Sequence, residues 1–240
     1  MSNTTKDPIA RKIPRSEDER VIHEKTELES SESITWRIFR IMSEFVSGFQ
    51  FIGQYEKTIS FFGSARTKEG SKFYIDATEL AKKLGKAGFS IVTGGGPGVM
   101  EAANRGGYEA KVPSLGLNIQ LPYEQRINQY VTRGMGFHYF FTRKVMLSAS
   151  GQAYVFFPGG FGTLDEFFEI VTLIQTKKME KIPVILYGAE FWSPLLEFVE
   201  QTVLKKYNNI NKNDMDIFTV VDSVDDAIKI LKKSKSRKDF

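Results

Sequence analysis

The chain has 240 residues, 41% of them apolar and 26% charged, with no cysteine and a net charge of +4. This is ordinary composition for one globular domain, or one domain with an appendage, and enough chain to bury a core without disulfides or a structural metal. It excludes a disulfide framework, thiolate catalysis and Cys-ligated metals, and two histidines, His23 and His138, argue against a His-rich metal site.

The charge is unevenly placed. Lys232, Lys233, Lys235, Arg237 and Lys238 stand against Asp239 in the last ten residues, a local +4 that accounts for the whole excess. The basic pI of about 9.0 is therefore a property of a solvated tail, and no nucleic-acid partner is expected. No apolar run approaches 18 residues, and the first twenty residues lack the apolar stretch of a signal peptide. A soluble cytoplasmic protein with no membrane partner is the expectation.

In chain order, residues 1–33 are polar and mixed in charge, with Pro8 and Pro14 early and seven acids between Ser16 and Ser33. They read as a flexible or only conditionally helical arm. Ile34, Ile38, Ile41, Met42, Phe45 and Phe49 then fall on one helical face, which predicts an amphipathic helix docked on its own domain or on a partner copy. From Lys57 short apolar runs alternate with helical periodicity. Strands are predicted at Thr58–Phe62, Phe89–Thr93, Ser114–Ile119, Ala153–Phe157, Pro183–Tyr187 and Phe218–Val221. Phe73, Tyr74, Ala77, Leu80, Ala81 and Leu84 form a helix face ending near Gly88, a left-handed cap position. Later helices are predicted to start at Thr163, at Ser193 with Pro194 in the first helical position, and at Ser223. Apolar strands separated by helices define an α/β fold: a Rossmann-like three-layer α/β/α domain with a mainly parallel sheet and an N-terminal helical extension. The expected division is 1–55 for the arm and helix, 56–231 for the Rossmann-like domain, and 232–240 for the basic tail.

Open α/β sheets bind ligands at the carboxyl ends of their strands, so the turns that follow the strands carry the functional argument. Gly63-Ser64-Ala65 follows the first strand. Gly94-Gly95-Gly96-Pro97-Gly98 follows the second and leads into Val99-Met100-Glu101. Pro158-Gly159-Gly160-Phe161-Gly162-Thr163 follows the strand at Ala153–Phe157 and leads into Leu164-Asp165-Glu166. Glycine lets backbone approach an anion closely, and a helix N-terminus behind it offers free N–H groups and partial positive charge. Both larger turns suit a phosphate, yet neither has dinucleotide or P-loop spacing.

PGGFGTLDE (158–166), preceded by TRK (142–144) and GGGPGVMEAANRG (94–106), resembles the LOG family, cytokinin-activating phosphoribohydrolases long labelled lysine decarboxylases. The resemblance covers about residues 57–222. It implies a Rossmann-like fold, at least a homodimer, and hydrolysis of the N-glycosidic bond of AMP or its N6-substituted cytokinin form, giving free base and ribose 5-phosphate. No cofactor or metal is implied. Carried over, Arg143 and Glu166 are the catalytic pair, and Gly160, Phe161, Gly162, Thr163, Leu164 and Asp165 form the phosphate and ribose cradle. Lys144, Glu124 and Thr172 match substrate-contacting positions. One departure stands out: plant members read M-H-x-R-K, whereas Phe140-Phe141-Thr142 precedes Arg143 here, which bears on base preference.

The chemistry is consistent with those residues. Cleaving a ribose–base bond builds positive charge at the anomeric carbon, which a fixed carboxylate stabilises while it orients or deprotonates the attacking water. The phosphate does not react, but its binding energy holds the ribose in place. Thr163 to Glu166 is also a T-x-x-E capping box, and spacing alone leaves the two readings level; the resemblance favours catalysis. Arg143 orients either Glu166 or the substrate. Glu101 is a second carboxylate candidate, although first-turn acids also serve the helix dipole. His138 reads as a packed or surface residue, and the run Phe137, Tyr139, Phe140, Phe141 as core, with one ring available to stack on a purine. The competing function is a non-catalytic nucleotide or molybdenum-cofactor-type carrier on the same scaffold. A PLP-dependent decarboxylase lacks any recognisable Schiff-base lysine context.

Overall fold

A computed structural model describes residues 17–119 and 127–234, with side chains from residue 34 onward. The expectations for residues 1–16, for Glu124 and for the tail beyond Ser234 lie outside these described residues. By internal packing the chain divides into two units, 1–43 and 44–240, with the boundary inside the first helix.

That helix, α1, runs Glu17–Ile52. The segment 17–33, expected to be at most conditionally helical, is therefore helical. It contains no proline or glycine and is rich in glutamate, so nothing local breaks the backbone ladder. Ile34, Ile38 and Met42 are exposed. Within the larger unit, Phe45, Phe51, Ile52 and Tyr55 pack on one of the two core clusters.

The rest alternates strand and helix. β1 is Thr58–Phe62, α2 Lys72–Lys86, β2 Ser90–Thr93, α3 Val99–Glu109, β3 Ser114–Ile119, β4 Arg133–Phe137, α4 Phe140–Ser150, β5 Tyr154–Phe156, α5 Phe161–Gln175, β6 Val184–Tyr187, α6 Ala189–Phe198, β7 Thr219–Val221 and α7 Val224–Leu231. All seven strands are parallel in the order β4-β3-β2-β1-β5-β6-β7. The order reverses between β1 and β5, which pair with Ser60 opposite Tyr154 and Phe62 opposite Phe156. The carboxyl ends of these two strands thus flank a topological switch point, where open parallel sheets leave a crevice.

Alternation along each strand feeds two cores. Ile59, Phe61 and Val155 face α2, α3 and α7, whereas Phe62, Tyr154 and Phe156 face α4, α5 and α6. Helices on both faces explain why the strands read as continuous apolar runs. Gly88 adopts φ +90 and its N–H reaches Gly85 O at 2.8 Å, the left-handed end expected for α2. Ser223 caps α7, accepting from Asp226 N.

Four expectations need correction. β4, reading RGMGF, was not among the predicted strands; two glycines and its exposed edge position hide the alternation. α6 starts at Ala189, because Gly188 at φ +98 turns the chain and Asp222 Oδ1 accepts from Ala189 N at 2.7 Å. Pro194 therefore lies inside the helix rather than at its first position. α5 begins at Phe161 with Gly160 as its N-cap, so Thr163 is already helical and no capping box forms with Glu166. Of the aromatic run only Phe137 is fully buried; Phe140 and Phe141 are exposed.

Candidate active site

The turns after β1, β2 and β5 are tied together before any ligand is considered. Ser64 N donates to Pro158 O at 3.0 Å, and Ser64 O accepts from Val99 N at 3.1 Å, so one residue joins all three. Gly98, at φ +71, lies so close to Ser64 O and Ala65 that a side chain at 98 would strike backbone. Glycine is required there by both conformation and space. Gly95 N donates to the Thr93 hydroxyl at 2.9 Å, and Asn128 Nδ2 donates to Gly95 O and Gly96 O at 3.2 and 2.9 Å. Asn104 completes this buried network through Thr93, Ser114 and Asn128.

Above the switch point lies a cavity of about 340 Å³ lined by Phe61, Phe62, Gly63, Gly94, Met100, Phe140, Arg143, Leu147, Gly160, Gly162, Thr163, Asp165 and Glu166. The sequence-predicted Gly63, Arg143, Gly160, Gly162, Thr163, Asp165 and Glu166 thus all line this one cavity. A Cβ added at Gly160 or Gly162 would meet no protein atom within 4 Å. These two glycines leave open space at the N-terminus of α5, where the helix dipole is positive.

Arg143 is fixed from behind. Its Nε donates to Leu117 O at 2.8 Å, and one Nη lies against Gly94. Its guanidinium makes no ion pair within 4.0 Å with any described carboxylate, Glu166 included. Burial lowers its pKa and the charge of Glu166 opposes that, but an arginine so placed stays cationic.

Glu166 lies across the cavity wall, with 13% of its side chain exposed. Burial raises its carboxyl pKa to about 7, the cations Lys144 and Arg143 pulling it down and Glu169 and Asp165 pushing it up. Its Oε2 is buried and has no hydrogen-bond partner. Lys144 Nζ approaches Oε1 only to 4.0 Å, because it is held at 2.6 Å by Asp165 and at 2.9 Å by Glu169. Burial alone would lower the Lys144 pKa, yet those two carboxylates raise it overall. This lysine bridges α4 to α5 and is not in the cavity lining.

The remaining expected residues fall elsewhere. Gly159 packs against Thr163. Phe161 is 93% exposed, and Leu164 packs on the core. Ser64, Gly95, Gly96 and Gly98 build the turns rather than the lining. Glu101 accepts from Tyr74 Oη at 3.4 Å in the first turn of α3. Thr172 is exposed, well beyond the first turns of α5. His138 is exposed, its ring edge on Tyr139. Sequence reasoning passed over Met100, Leu147, Asn128 and Glu169. The first two occupy ordinary helical positions, and Asn128 shows its role only once the chain folds back on the glycine turn.

An all-parallel sheet flanked by helices, with its cavity at the switch point, defines a Rossmann-like α/β protein. Residues 100–231 match the family model described as "Possible lysine decarboxylase", and the chain belongs to that family, which is the LOG family. Among curated relatives, the probable cytokinin riboside 5'-monophosphate phosphoribohydrolase LOGL5 of Oryza sativa subsp. japonica is 28% identical over 156 residues, 62% of this chain and 61% of that protein. The cytokinin riboside 5'-monophosphate phosphoribohydrolase LOG of the same plant is 31% identical over 149 residues, 59% of each. The chain thus spans about three fifths of the length of these two relatives. Among solved structures, the molybdenum cofactor binding protein from the phototrophic bacterium Rippkaea orientalis superposes with a TM-score of 0.56 at 20% identity, covering 74% of this chain and 96% of that one. At that identity the likeness concerns the fold. Among the described residues no helix is long and apolar enough to cross a membrane.

Proposed function

We propose that this chain hydrolyses the N-glycosidic bond of a nucleoside 5'-monophosphate, AMP or an N6-substituted AMP, to the free base and ribose 5-phosphate. The observation that carries the reading is Glu166: a buried carboxyl with an unpartnered oxygen and a pKa raised to about 7, in the wall of a cavity that also holds Arg143 and the N-terminus of α5. A buried polar atom left without a partner calls for an explanation, and a catalytic base is one. The names of the relatives support the same chemistry.

In this reading the 5'-phosphate sits at Gly160 and Gly162, where open space and the helix dipole favour an anion. The ribose then lies within reach of Glu166, one turn along the same helix. As carboxylate, Glu166 stabilises positive charge at the anomeric carbon and takes a proton from the attacking water. A pKa near the working pH suits both the holding and the later release of that proton. Arg143, unpaired with Glu166, faces the substrate. Phe140 and Met100 present apolar surface to a flat base. Lys144, locked between carboxylates and kept protonated, is a poor Schiff-base nucleophile, so the family's older label does not describe this cavity.

Incubation with AMP and N6-isopentenyl-AMP, followed by chromatography, is expected to show free base and ribose 5-phosphate. Glu166→Ala should lose at least ~100-fold in rate. Tight ligand binding with no turnover of either nucleotide, and no difference between wild type and Glu166→Ala, would transfer the protein to the carrier reading.

A further inference from the structure

Near α4, the helix that carries Arg143 and Lys144, three donors converge on one carboxylate from a distant part of the chain. Glu44 Oε1 accepts from His138 N at 2.7 Å; Glu44 Oε2 accepts from the Thr142 hydroxyl at 2.5 Å and from Tyr139 N at 3.4 Å. Tyr139 is the N-cap residue of α4, and its own side chain makes no capping hydrogen bond. Glu44 therefore ties the backbone at and just before the N-cap to the side chain of the third helical residue, and adds a negative charge at the positive end of the helix. The contact is closely held. Thr142 is fully buried, and Gly48, one turn along α1, lies so near Met146 that an added Cβ would stand 2.5 Å from its sulfur.

Arg143 directly follows Thr142, and its N–H donates to Tyr139 O at 3.3 Å in the first turn of α4. Its side chain has a single described hydrogen bond, from Nε to Leu117 O, to fix the guanidinium. A shift or fraying of this turn therefore moves the guanidinium within the cavity. We infer that Glu44 is a positioning residue for Arg143, holding the first turn of α4, and with it the cavity's cation, from the end of α1. The inference deepens the proposed glycosidase reading and rests on it for its kinetic consequences, though not for its geometry.

The test compares wild type with Glu44→Ala, Glu44→Gln and, as control, Phe45→Ala. Phe45 is the next residue on α1; it packs on the core cluster and makes none of the hydrogen bonds that tie Glu44 to the start of α4. The first readout needs no turnover: the NMR signal and hydrogen exchange of the Arg143 Nε–H. It is expected to shift and exchange faster in Glu44→Ala, less so in Glu44→Gln, which keeps one acceptor oxygen, and to stay at its wild-type position in Phe45→Ala. The second is the pH profile of kcat/KM. Lys144, Glu169, Arg143 and Asp165 are the charged groups that act on Glu166. Displacing Arg143 removes one cation from that set. Glu44→Ala should then move the acid limb upward and lower kcat/KM about tenfold or more, since small misplacements of positioning groups are costly. Phe45→Ala should lower thermal stability without moving the limb.

An Arg143 Nε–H signal in Glu44→Ala identical to that of wild type overturns the inference, as does an equal shift in Phe45→Ala. If wild type turns over no nucleotide, the glycosidase reading fails while the Nε–H comparison still decides the role of Glu44.

Discussion

At the residue scale, Glu166 links the proposed activity to stability. Burial raises its pKa from 4.5 to about 7 in the folded chain. In the proposed glycosidase the carboxylate is the working form, so kcat/KM should fall about tenfold per pH unit below about pH 7 and level off above it. The same shift works against folding. A carboxyl whose pKa is higher folded than unfolded binds its proton more tightly in the native state. Stability is therefore lost as pH climbs through the window from 4.5 to about 7, and the full penalty, ~3 kcal/mol, applies above it. Glu166→Gln removes the ionisation but leaves Lys144 its ion pairs with Asp165 and Glu169. Its expected result is an inactive protein more stable than wild type by ~1–2 kcal/mol at pH 8, with the gain vanishing near pH 4. Denaturant melts at the two pH values measure it; an equal difference at both would show that Glu166 is not ionising in a buried site.

At the scale of elements, the glycine turn after β2 and the first turns of α4 and α5 share the cavity. Gly94 exists in this arrangement because the Arg143 guanidinium lies against it; a methyl there would meet the tip of that side chain and the Met100 sulfur. Both neighbours are flexible ends, so Gly94→Ala should fold with a melting temperature close to wild type. It should nevertheless lose activity by ~10–100-fold, because the guanidinium must vacate its place. A variant with wild-type kcat/KM would show that Arg143 tolerates displacement and acts only as diffuse charge. Much of this level was legible in the sequence. Six strands stand out as β-branched and aromatic runs, three of them ending in the glycine turns after β1, β2 and β5, and the TRK and PGGFGTLDE segments stand out by motif. β4 was not legible, since Arg133, Gly134 and Gly136 break its pattern at an edge where one flank needs no apolar side chain. Nor were Glu44 and Asn128: each acts on backbone far away in sequence, and only the fold brings Glu44 to Thr142 or Asn128 to Gly96.

At the scale of the whole molecule, α4 and α5 carry four exposed phenylalanines. Phe140, Phe141, Phe161 and Phe168 are 65%, 45%, 93% and 41% exposed. Phe140 also borders the cavity, and Phe161 opens α5 between Gly160 and Gly162 of its lining. Clustered exposed apolar side chains mark interaction surfaces, and a second copy of the chain is the commonest partner that could cover such a patch. The homodimer that the family resemblance implies would meet this need if α4 and α5 formed its interface. That arrangement would also shield the cavity mouth from water and so strengthen the electrostatics of Glu166 and Arg143. Light scattering at micromolar concentration is expected to give at least twice the mass of one chain. Phe141→Glu and Phe168→Glu should each shift the protein toward monomer and lower turnover together with mass. By contrast Trp36→Glu, on the exposed part of α1, should leave the α4–α5 contact intact. Dissociation by Trp36→Glu alone would assign the interface to α1, and a wild-type chain that runs as a monomer would leave the exposed phenylalanines to substrate binding rather than to assembly.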